Sequence, residues 1–305
     1  MFHVEHSACS TPGPVAIVGL HQSPRSSKSL YQRWAGKSAP ALKGMGRVIA
    51  VASQKGGVGK TTTAINLASC IAQESHRVLL VDVDPQGNAS SGLGINGNDQ
   101  AEGTYEVLIG QCEITAAVRP TALASLDVVP AGQRLSGAEV ELVGMMARET
   151  RLRGALAQLR EEYEYILLDC PPSLGLLTIN ALTSADSVLI PLQCEYLALE
   201  GLTQLIQAIR LVQDHLNPAL RIEGVLLTMY DPRLNLSRQV ADEARKFFSD
   251  RVYRTMIPRN VKLSEAPSFG KPIVLYDPHC VGAESYRELA REVLEHAAEG
   301  VGKRA

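Results

Sequence analysis

Short apolar runs rich in Val, Ile and Leu alternate with longer amphipathic stretches from residue 47 onward. Near-continuous apolar runs are typical of strands that are covered on both faces, as in a parallel sheet. The pattern predicts strands at 47–53, 77–82, 126–130, 165–169, 187–191, 222–228 and near 255–257. It predicts helices at 60–73, 148–161, 197–215, 235–248 and about 283–297. This alternation favours an α/β fold with a mostly parallel sheet flanked by helices.

The first 44 residues lack this periodicity. They are rich in Ser, Pro and Gly and carry five Lys or Arg against one Glu, which predicts a disordered basic tail at 1–44. Met45 lies directly before the first strand, and we expect it to be an alternative start of the protein. Residues 45–300 predict a single domain, followed by a C-terminal tail at 301–305.

Composition narrows the class of protein. The six cysteines form no C-x-x-C pair, which disfavours a metal ribbon or a disulfide framework and favours a reducing compartment. No apolar run approaches the roughly 18 residues of a membrane span, and the N-terminus lacks the order of a signal peptide. We therefore expect a cytoplasmic protein and no membrane partner.

Charge is distributed unevenly along the chain. The formal net charge is −2, yet residues 231–271 hold nine Lys or Arg against five Asp or Glu. Binding to nucleic acid would therefore depend on a local patch of the surface. A solvated charged face is the alternative interpretation of the same segment.

A glycine-rich stretch, "QKGGVGKTTT" at 54–63, follows the first predicted strand and opens a predicted helix. That context is typical of a phosphate-binding loop, whose backbone N–H groups surround a phosphate at a helix N-terminus. Lys60 would reach the β and γ phosphates, and the Thr61 hydroxyl would bind Mg²⁺. The stretch departs from the usual pattern at Gln54 and adds a second lysine, Lys55.

The run from Lys55 to Thr61 resembles the deviant Walker A motif of the ParA/MinD family of P-loop ATPases. The resemblance implies a three-layer P-loop NTPase fold that binds ATP and Mg²⁺. It also implies that Lys60 serves the nucleotide of its own subunit, whereas Lys55 reaches the ATP of the partner in a face-to-face homodimer. The implied nucleotide contacts in this loop are Lys55, Gly56, Gly57, Val58, Gly59, Lys60, Thr61 and Thr62.

Two further segments, "VLLVDVDPQGN" at 78–88 and "YILLDCPPS" at 165–173, match the same family. The resemblance implies that Asp84 positions and polarises the attacking water, beside Lys55 and Lys60 as catalytic groups. It implies a metal site formed by Thr61, Asp84 and Asp169, with Asp169 acting through water. For Asp82, the alternative that it only caps the following turn remains open.

Segments at 193–202, 228–240, 257–273 and 276–290 resemble the ParA branch often called Soj, the chromosome-partitioning ATPases. The resemblance implies slow ATP hydrolysis stimulated by a ParB-like centromere-binding protein. It also implies non-specific binding of the ATP dimer to double-stranded DNA, and hence a nucleoid-associated protein. By position, Arg233 and Lys262 match DNA contacts, although arginine is usual at the second position. Pro258 and Arg259 match residues near the adenine.

Three alternatives belong to other classes of protein. A MinD-like membrane-cycling ATPase would end in a basic amphipathic helix, whereas this C-terminal segment carries Glu284, Glu288, Glu292, Glu295 and Glu299, which anionic lipid should repel. An iron–sulfur electron carrier would use two cysteines, but Cys112 and Cys170 lack glycine-rich surroundings, and Cys170 is better interpreted as a small buried residue. A metabolic ATP-dependent ligase on the same scaffold is the third.

Overall fold

One eight-stranded sheet organises the described part of the chain. The structure, a computed structural model, describes residues 45–195 and 198–302, so the predictions for residues 1–44 lie outside it. The strands are β1 Arg47–Val51, β2 Val78–Asp82, β3 Arg119–Pro120, β4 Leu126–Val129, β5 Tyr165–Asp169, β6 Ser187–Gln193, β7 Arg221–Tyr230 and β8 Val252–Pro258. Their order is β3-β4-β2-β5-β1-β6-β7-β8, and β3 alone among them pairs antiparallel.

Helices connect most of these strands. They are α1 Lys60–Gln73, α2 Asn88–Gly92, α3 Thr104–Ile109, α4 Ile114–Ala117, α5 Leu135–Glu141, α6 Arg151–Leu156, α7 Leu176–Ser184, α8 Ala198–His215, α9 Asn235–Phe248, α10 Val261–Glu265, α11 Ile273–Tyr276 and α12 Val281–Gly302. The predicted α/β fold with a mostly parallel sheet is confirmed.

Alternate residues of the central strands pack on opposite faces of the sheet. Ile49 and Val51 of β1 belong to the core cluster formed with α1 and α12. Val48 and Ala50 between them are equally buried but lie outside that cluster. Helix α7 contacts β1 and also packs against α6 and α8. These helices form the third layer of the fold. The strands are therefore covered on both faces, which explains their continuous apolar sequences.

Several elements differ from the sequence-based expectations. The predicted helix at 148–161 is wrong in extent, because α6 ends at Leu156 and the chain then turns through bonds such as Glu162 N to Leu159 O, 3.0 Å. Helix α7 was not predicted; most of its residues are buried, so it lacks the polar stripe of an amphipathic helix. Helix α12 is longer than the predicted helix at about 283–297, because it runs from Val281 to Gly302.

The strand order brings the predicted chemistry together. Strands β2, β5 and β1 are neighbours, and each runs in the same direction. Their carboxyl ends therefore lie side by side, with Asp82 paired in register with Asp169 and Asp169 with Val51. The glycine-rich loop leaves β1 at this edge, which is where open α/β sheets bind ligands.

Candidate active site

The loop between β1 and α1 has the backbone shape of an anion cradle. Gly57 and Gly59 have φ angles of +71° and +87°, in the left-handed region that favours glycine. No side chain caps the N-terminus of α1, which begins at Lys60 directly after Gly59. Free N–H groups at a helix N-terminus attract phosphate. The loop therefore fits the phosphate site that the sequence predicts.

The remaining loop residues divide into an exposed and a buried part. Gly56 is exposed, and a Cβ added there would meet nothing within 4 Å. Val58 is only 2% exposed. Thr62 lies in the first turn of α1, where its carbonyl accepts a hydrogen bond from the Asn66 amide at 2.8 Å. The outer part of the loop is open, whereas the inner part is packed against the protein.

Lys60 is the buried lysine of the site. Its Nζ donates a hydrogen bond to the backbone oxygen of Lys55 at 3.1 Å, and the residue is 6% exposed. Burial lowers the pKa of Lys60, while the nearby carboxyl groups of Asp169 and, more weakly, of Asp84 oppose that change. An ammonium group so desolvated gains from any further negative charge, such as a phosphate.

Asp169, at the end of β5, is fully buried. Among the described residues, neither of its carboxylate oxygens has a hydrogen-bond partner of ordinary geometry. Burial raises the pKa of Asp169 well above its usual range, and Asp82 adds to this, while the nearby Thr61 hydroxyl and the Lys60 ammonium oppose it. Unpartnered carboxylate oxygens beside a hydroxyl fit the all-oxygen coordination of Mg²⁺. Asp169 and Thr61 thus have the right chemistry for the predicted metal site.

Asp82 and Asp84 follow β2 but make different contacts. The Asp82 carboxylate accepts hydrogen bonds from Ser90 N at 2.8 Å, Ser90 Oγ at 2.7 Å and Asp84 N at 3.1 Å. Burial raises the pKa of Asp82, and these hydrogen bonds oppose the change. These contacts favour a structural role for Asp82 in ordering the loop. Asp84 accepts a bond from Gln86 N at 2.9 Å, and its role toward water stays a prediction.

Lys55 is the partly exposed lysine of the site and pairs with Glu195. Its Nζ lies 3.9 Å from Glu195 Oε2, and its side chain is 34% exposed. Glu195 Oε1 also accepts a hydrogen bond from the Gln193 amide at 2.6 Å and lies 3.4 Å from Arg259 Nη2. Pro258, the residue before Arg259, ends β8. Glu195 therefore joins two residues that the sequence assigns to nucleotide, the second lysine and the arginine near the adenine.

The two predicted DNA contacts, Arg233 and Lys262, are exposed cations with carboxylates close in sequence. The Arg233 side chain is 87% exposed and binds both oxygens of Asp231, at 2.9 and 2.7 Å. Lys262, in α10, is 47% exposed and pairs with Glu265 at 3.1 Å. Exposed ion pairs contribute only about 0–1 kcal/mol. Either cation can therefore exchange its carboxylate for a phosphate oxygen at small cost.

Two contributors to the site were not predicted from the sequence, Glu195 and Thr228. The Thr228 hydroxyl, on β7, donates a hydrogen bond to the Val58 carbonyl of the glycine-rich loop at 2.8 Å. The available signal was a hydroxyl residue directly after the apolar run at 225–227, near the carboxyl end of the strand. Neither contact is local in sequence, so no spacing rule identifies it.

The C-terminal helix α12 corrects one expectation. Glu292 is only 4% exposed and accepts hydrogen bonds from Arg254 N at 2.8 Å and from Thr255 N and Oγ1 at 3.1 and 2.9 Å. Its place on an acidic outer face was therefore wrong, because it satisfies the backbone of β8. Cys170 is fully buried, as predicted. Within residues 45–195 and 198–302, no helix has both the length and the apolar character to cross a membrane.

A parallel sheet whose carboxyl edge carries a glycine cradle, a buried lysine and an unpartnered aspartate defines the class of P-loop nucleotide-binding proteins. The sequence profile of a family described as an AAA domain matches residues 46–222. The sporulation initiation inhibitor protein Soj of Bacillus subtilis is 59% identical over 249 residues, covering 82% of this chain and 98% of that protein.

Other relatives agree. The chromosome partitioning protein ParA of Caulobacter vibrioides is 54% identical over 261 residues, covering 85% of this chain and 98% of that protein. The solved cobyrinic acid a,c-diamide synthase of Mycobacterium smegmatis, with ADP and magnesium, superposes with a TM-score of 0.74 at 39% identity over 84% of this chain and 97% of that one. For the cell division ATPase MinD of Pyrococcus furiosus the TM-score is 0.68 at 27% identity, over 82% and 99%. The chain belongs to the ParA/MinD family of P-loop ATPases, in its ParA (Soj) branch.

Proposed function

We propose that the protein is a partitioning ATPase that works as a nucleotide switch on DNA. ATP with Mg²⁺ closes a face-to-face homodimer, the dimer binds double-stranded DNA without sequence preference, and slow hydrolysis stimulated by a ParB-like partner releases it. The observation that carries the proposal is the separation of the two lysines, with Lys60 buried in the cradle and Lys55 outside it beside Glu195. The name of the Caulobacter vibrioides relative, chromosome partitioning protein ParA, supports the biological role.

In this proposal the residues of one subunit hold the nucleotide. Bound ATP with Mg²⁺ supplies the phosphoryl group and the divalent charge. Lys60 and the N–H groups of residues 57–60 bind phosphate oxygens, because they are the buried cation and the open helix end of the site. Thr61 would hold the metal with its hydroxyl, and Asp169 and Asp84 would act on the metal shell. Asp84 also orients the attacking water.

The partner subunit completes each site through Lys55. A lysine that leaves Glu195 loses an exposed ion pair of small value, so the cost of reaching across the interface is low. Two-fold symmetry then places one Lys55 at each nucleotide. A ligand present at 100 times its dissociation constant shifts such an equilibrium by about 2.7 kcal/mol. Nucleotide occupancy is therefore sufficient to control dimer formation.

The basic segment at 231–271 is the proposed DNA surface. Arg233 and Lys262 of both subunits would contact about four phosphates in the dimer, which predicts a salt slope of about −3.6. Binding without base contacts is independent of sequence and depends steeply on salt. We expect the protein to be cytoplasmic. Binding to DNA without sequence preference would then make it a nucleoid-associated protein.

The test is binding of the purified protein to random-sequence duplex DNA with ADP, with ATP and with a slowly hydrolysed ATP analogue, across a salt series. We expect tight, salt-sensitive binding with ATP or the analogue only. Binding that is equal with ADP and ATP would contradict the switch. ATP-dependent binding to anionic vesicles, without binding to DNA, would favour the MinD-like alternative.

One observation weighs against that membrane alternative. The apolar residues of α12, including Tyr286, Leu289 and Val293, are buried in the core cluster that contains α1. They are not available to enter a lipid surface unless the helix detaches.

A second candidate, a metabolic ligase, follows from the likeness to the diamide synthase. The Soj relative at 59% identity and the ParA relative at 54% match more strongly than this structure at 39%. ATP turnover that depends on cobyrinic acid, and not on DNA with a ParB-like protein, would support the ligase.

A further inference from the structure

A threonine from a strand that is distant in sequence forms a hydrogen bond with the buried part of the glycine-rich loop. Thr228 lies near the carboxyl end of β7, is 1% exposed, and donates its hydroxyl to the Val58 carbonyl at 2.8 Å. Strand β7 is separated from β1, which leads into the loop, by β6. The contact therefore reaches past the carboxyl end of β6. It does not depend on hydrogen bonds within the glycine-rich loop.

Both ends of this contact are fixed by the surrounding fold. Thr228 pairs with Gln193 in register, and its own carbonyl accepts a hydrogen bond from Cys194 N at 3.2 Å. Its methyl group lies 3.9 Å from the position that a Cβ would take at Gly59. The hydroxyl of Thr228 therefore contacts Val58, and its methyl group lies on the side of Gly59 where a Cβ would be.

The geometry of the peptide bond makes this contact important for anion binding. In a trans peptide the C=O and the following N–H point in opposite directions. A hydroxyl that holds the Val58 carbonyl on the β7 side therefore turns the Gly59 N–H to the other side of the same peptide plane. This plane rotates about the ψ angle of Val58 and the φ angle of Gly59, and Gly59, at positive φ, lacks a side chain that would restrict the second rotation. The loop needs an outside contact to keep one orientation.

We propose that Thr228 is a positioning residue of the nucleotide site, whose hydroxyl keeps the Val58–Gly59 peptide oriented with the Gly59 N–H toward the nucleotide phosphates. This inference rests on the proposed nucleotide site and adds a residue from β7 to it. Rotation of the peptide would direct a carbonyl oxygen at the phosphate, which replaces an attraction with a repulsion. Thr228 does not itself contact the nucleotide.

The experiment compares Thr228→Val, which keeps the shape and removes the hydroxyl, with Thr228→Ser, which keeps the hydroxyl and removes the methyl. Affinity for ADP with Mg²⁺ is measured by titration calorimetry, and folding by thermal unfolding without nucleotide. We expect about tenfold weaker binding for the valine variant, since one hydrogen bond and an unsatisfied carbonyl are involved. The serine variant should bind within about threefold of the wild type.

Thr183→Val is the matched control. Thr183 is also 1% exposed, and its hydroxyl has no hydrogen-bond partner among the described residues. It should bind ADP as the wild type does. If Thr228→Val has lost the wild-type fold, Thr228→Ala takes its place, with the same expected loss of affinity and the same rescue by serine.

Each outcome separates the inference from the proposal on which it rests. Wild-type affinity in a folded Thr228→Val or Thr228→Ala variant would overturn the positioning role and leave the nucleotide site standing. Equal losses in the valine and serine variants would also overturn it, because packing and not the hydroxyl would then be responsible. Failure of the wild type itself to bind ADP with Mg²⁺ would overturn both.

Discussion

The carboxyl edge of the central strands and the basic segment at 231–271 handle charge in opposite ways. At the sheet edge, Lys60 and Asp169 are buried, and the Asp169 oxygens have no hydrogen-bond partner of ordinary geometry among the described residues. In the basic segment, Arg233 and Lys262 are exposed, and each has a carboxylate two or three residues away.

This difference separates what each region reveals about function. A buried, unpartnered carboxylate costs folding free energy, so its retention points to a ligand that satisfies it. An exposed ion pair is nearly neutral in energy and is found on most protein surfaces. The structure of one subunit is therefore enough to indicate the nucleotide site. The proposed DNA surface can be argued only from the proposed dimer, in which the exposed cations of two subunits act together.

The largest expected effect is on hydrolysis, at the sheet edge. Asp84→Ala should lower the rate of ATP hydrolysis by about 10² to 10⁴-fold, because a positioned carboxylate contributes that much to proton transfer and water orientation. ATP-dependent dimers should persist on DNA. Phosphate release and analytical sedimentation measure the two properties, and normal turnover would contradict the assigned role.

Asp82→Ala is the informative counterpart of that variant. It removes the acceptor of three hydrogen bonds from Ser90 and Asp84 and should lower the free energy of unfolding by about 3 kcal/mol. Denaturant unfolding measures it. If Asp84→Ala destabilised the protein as much as Asp82→Ala, the division into one structural and one chemical aspartate would be wrong.

The next effect concerns the open part of the loop. Gly56→Val should bind ATP, because the added side chain meets nothing within the subunit, but should weaken the dimer about 100-fold through crowding at both symmetric sites. Gly154→Val is the control, since its Cβ also meets nothing within 4 Å. Sedimentation with the ATP analogue checks both, and a stable dimer of Gly56→Val would undermine the face-to-face arrangement.

A smaller effect is expected in the basic segment. Arg233→Ala should weaken DNA binding of the ATP dimer roughly 30-fold at 0.1 M salt and reduce the salt slope to about −1.8, since one phosphate contact is lost per subunit. Arg291→Ala removes another exposed arginine, which pairs with Glu284 at 3.6 Å, and should leave both values unchanged. Equal losses in the two variants would indicate a general charge effect.

The smallest effect is expected for Lys262→Arg. The guanidinium group can bind a phosphate through two hydrogen bonds, whereas lysine acts as a point charge, so affinity for DNA should rise about two- to threefold. The salt slope should not change, because the charge is the same. Fluorescence anisotropy across a salt series measures both quantities; a weaker complex would place Lys262 away from phosphate.

The sequence predicted best what depends on local pattern. The strands β1, β2 and β5 follow from their apolar runs, and the cradle follows from the spacing of Gly57, Gly59 and Lys60. The residues that escaped prediction act over long distances in the chain. Thr228 meets Val58 across 170 positions, and Glu292 satisfies the backbone of β8 from 37 and 38 positions away.

Residue type was also a misleading guide where a polar residue is buried. Glu292 counted as acidic surface by sequence, but four hydrogen-bonding contacts with Arg254 and Thr255 make burial acceptable. Helix α7 is buried on most sides, with polar residues such as Thr178 and Asn180 inside, and therefore gave no amphipathic signal. Both cases have the same cause, because hydrophobic periodicity detects an element with a single buried, apolar face. Helix α7 has more than one buried face, and α12 has a buried polar group.

The two outer strands of the sheet are poorly suited to pairing with a strand of another molecule. Strand β3 is only two residues long and contains Pro120, while β8 pairs irregularly with β7 and ends at Pro258. Prolines, short edges and irregular pairing all hinder the addition of a further strand from another molecule. Copies that the proposed DNA binding would bring close together are thereby protected from fibrous aggregation through their sheets.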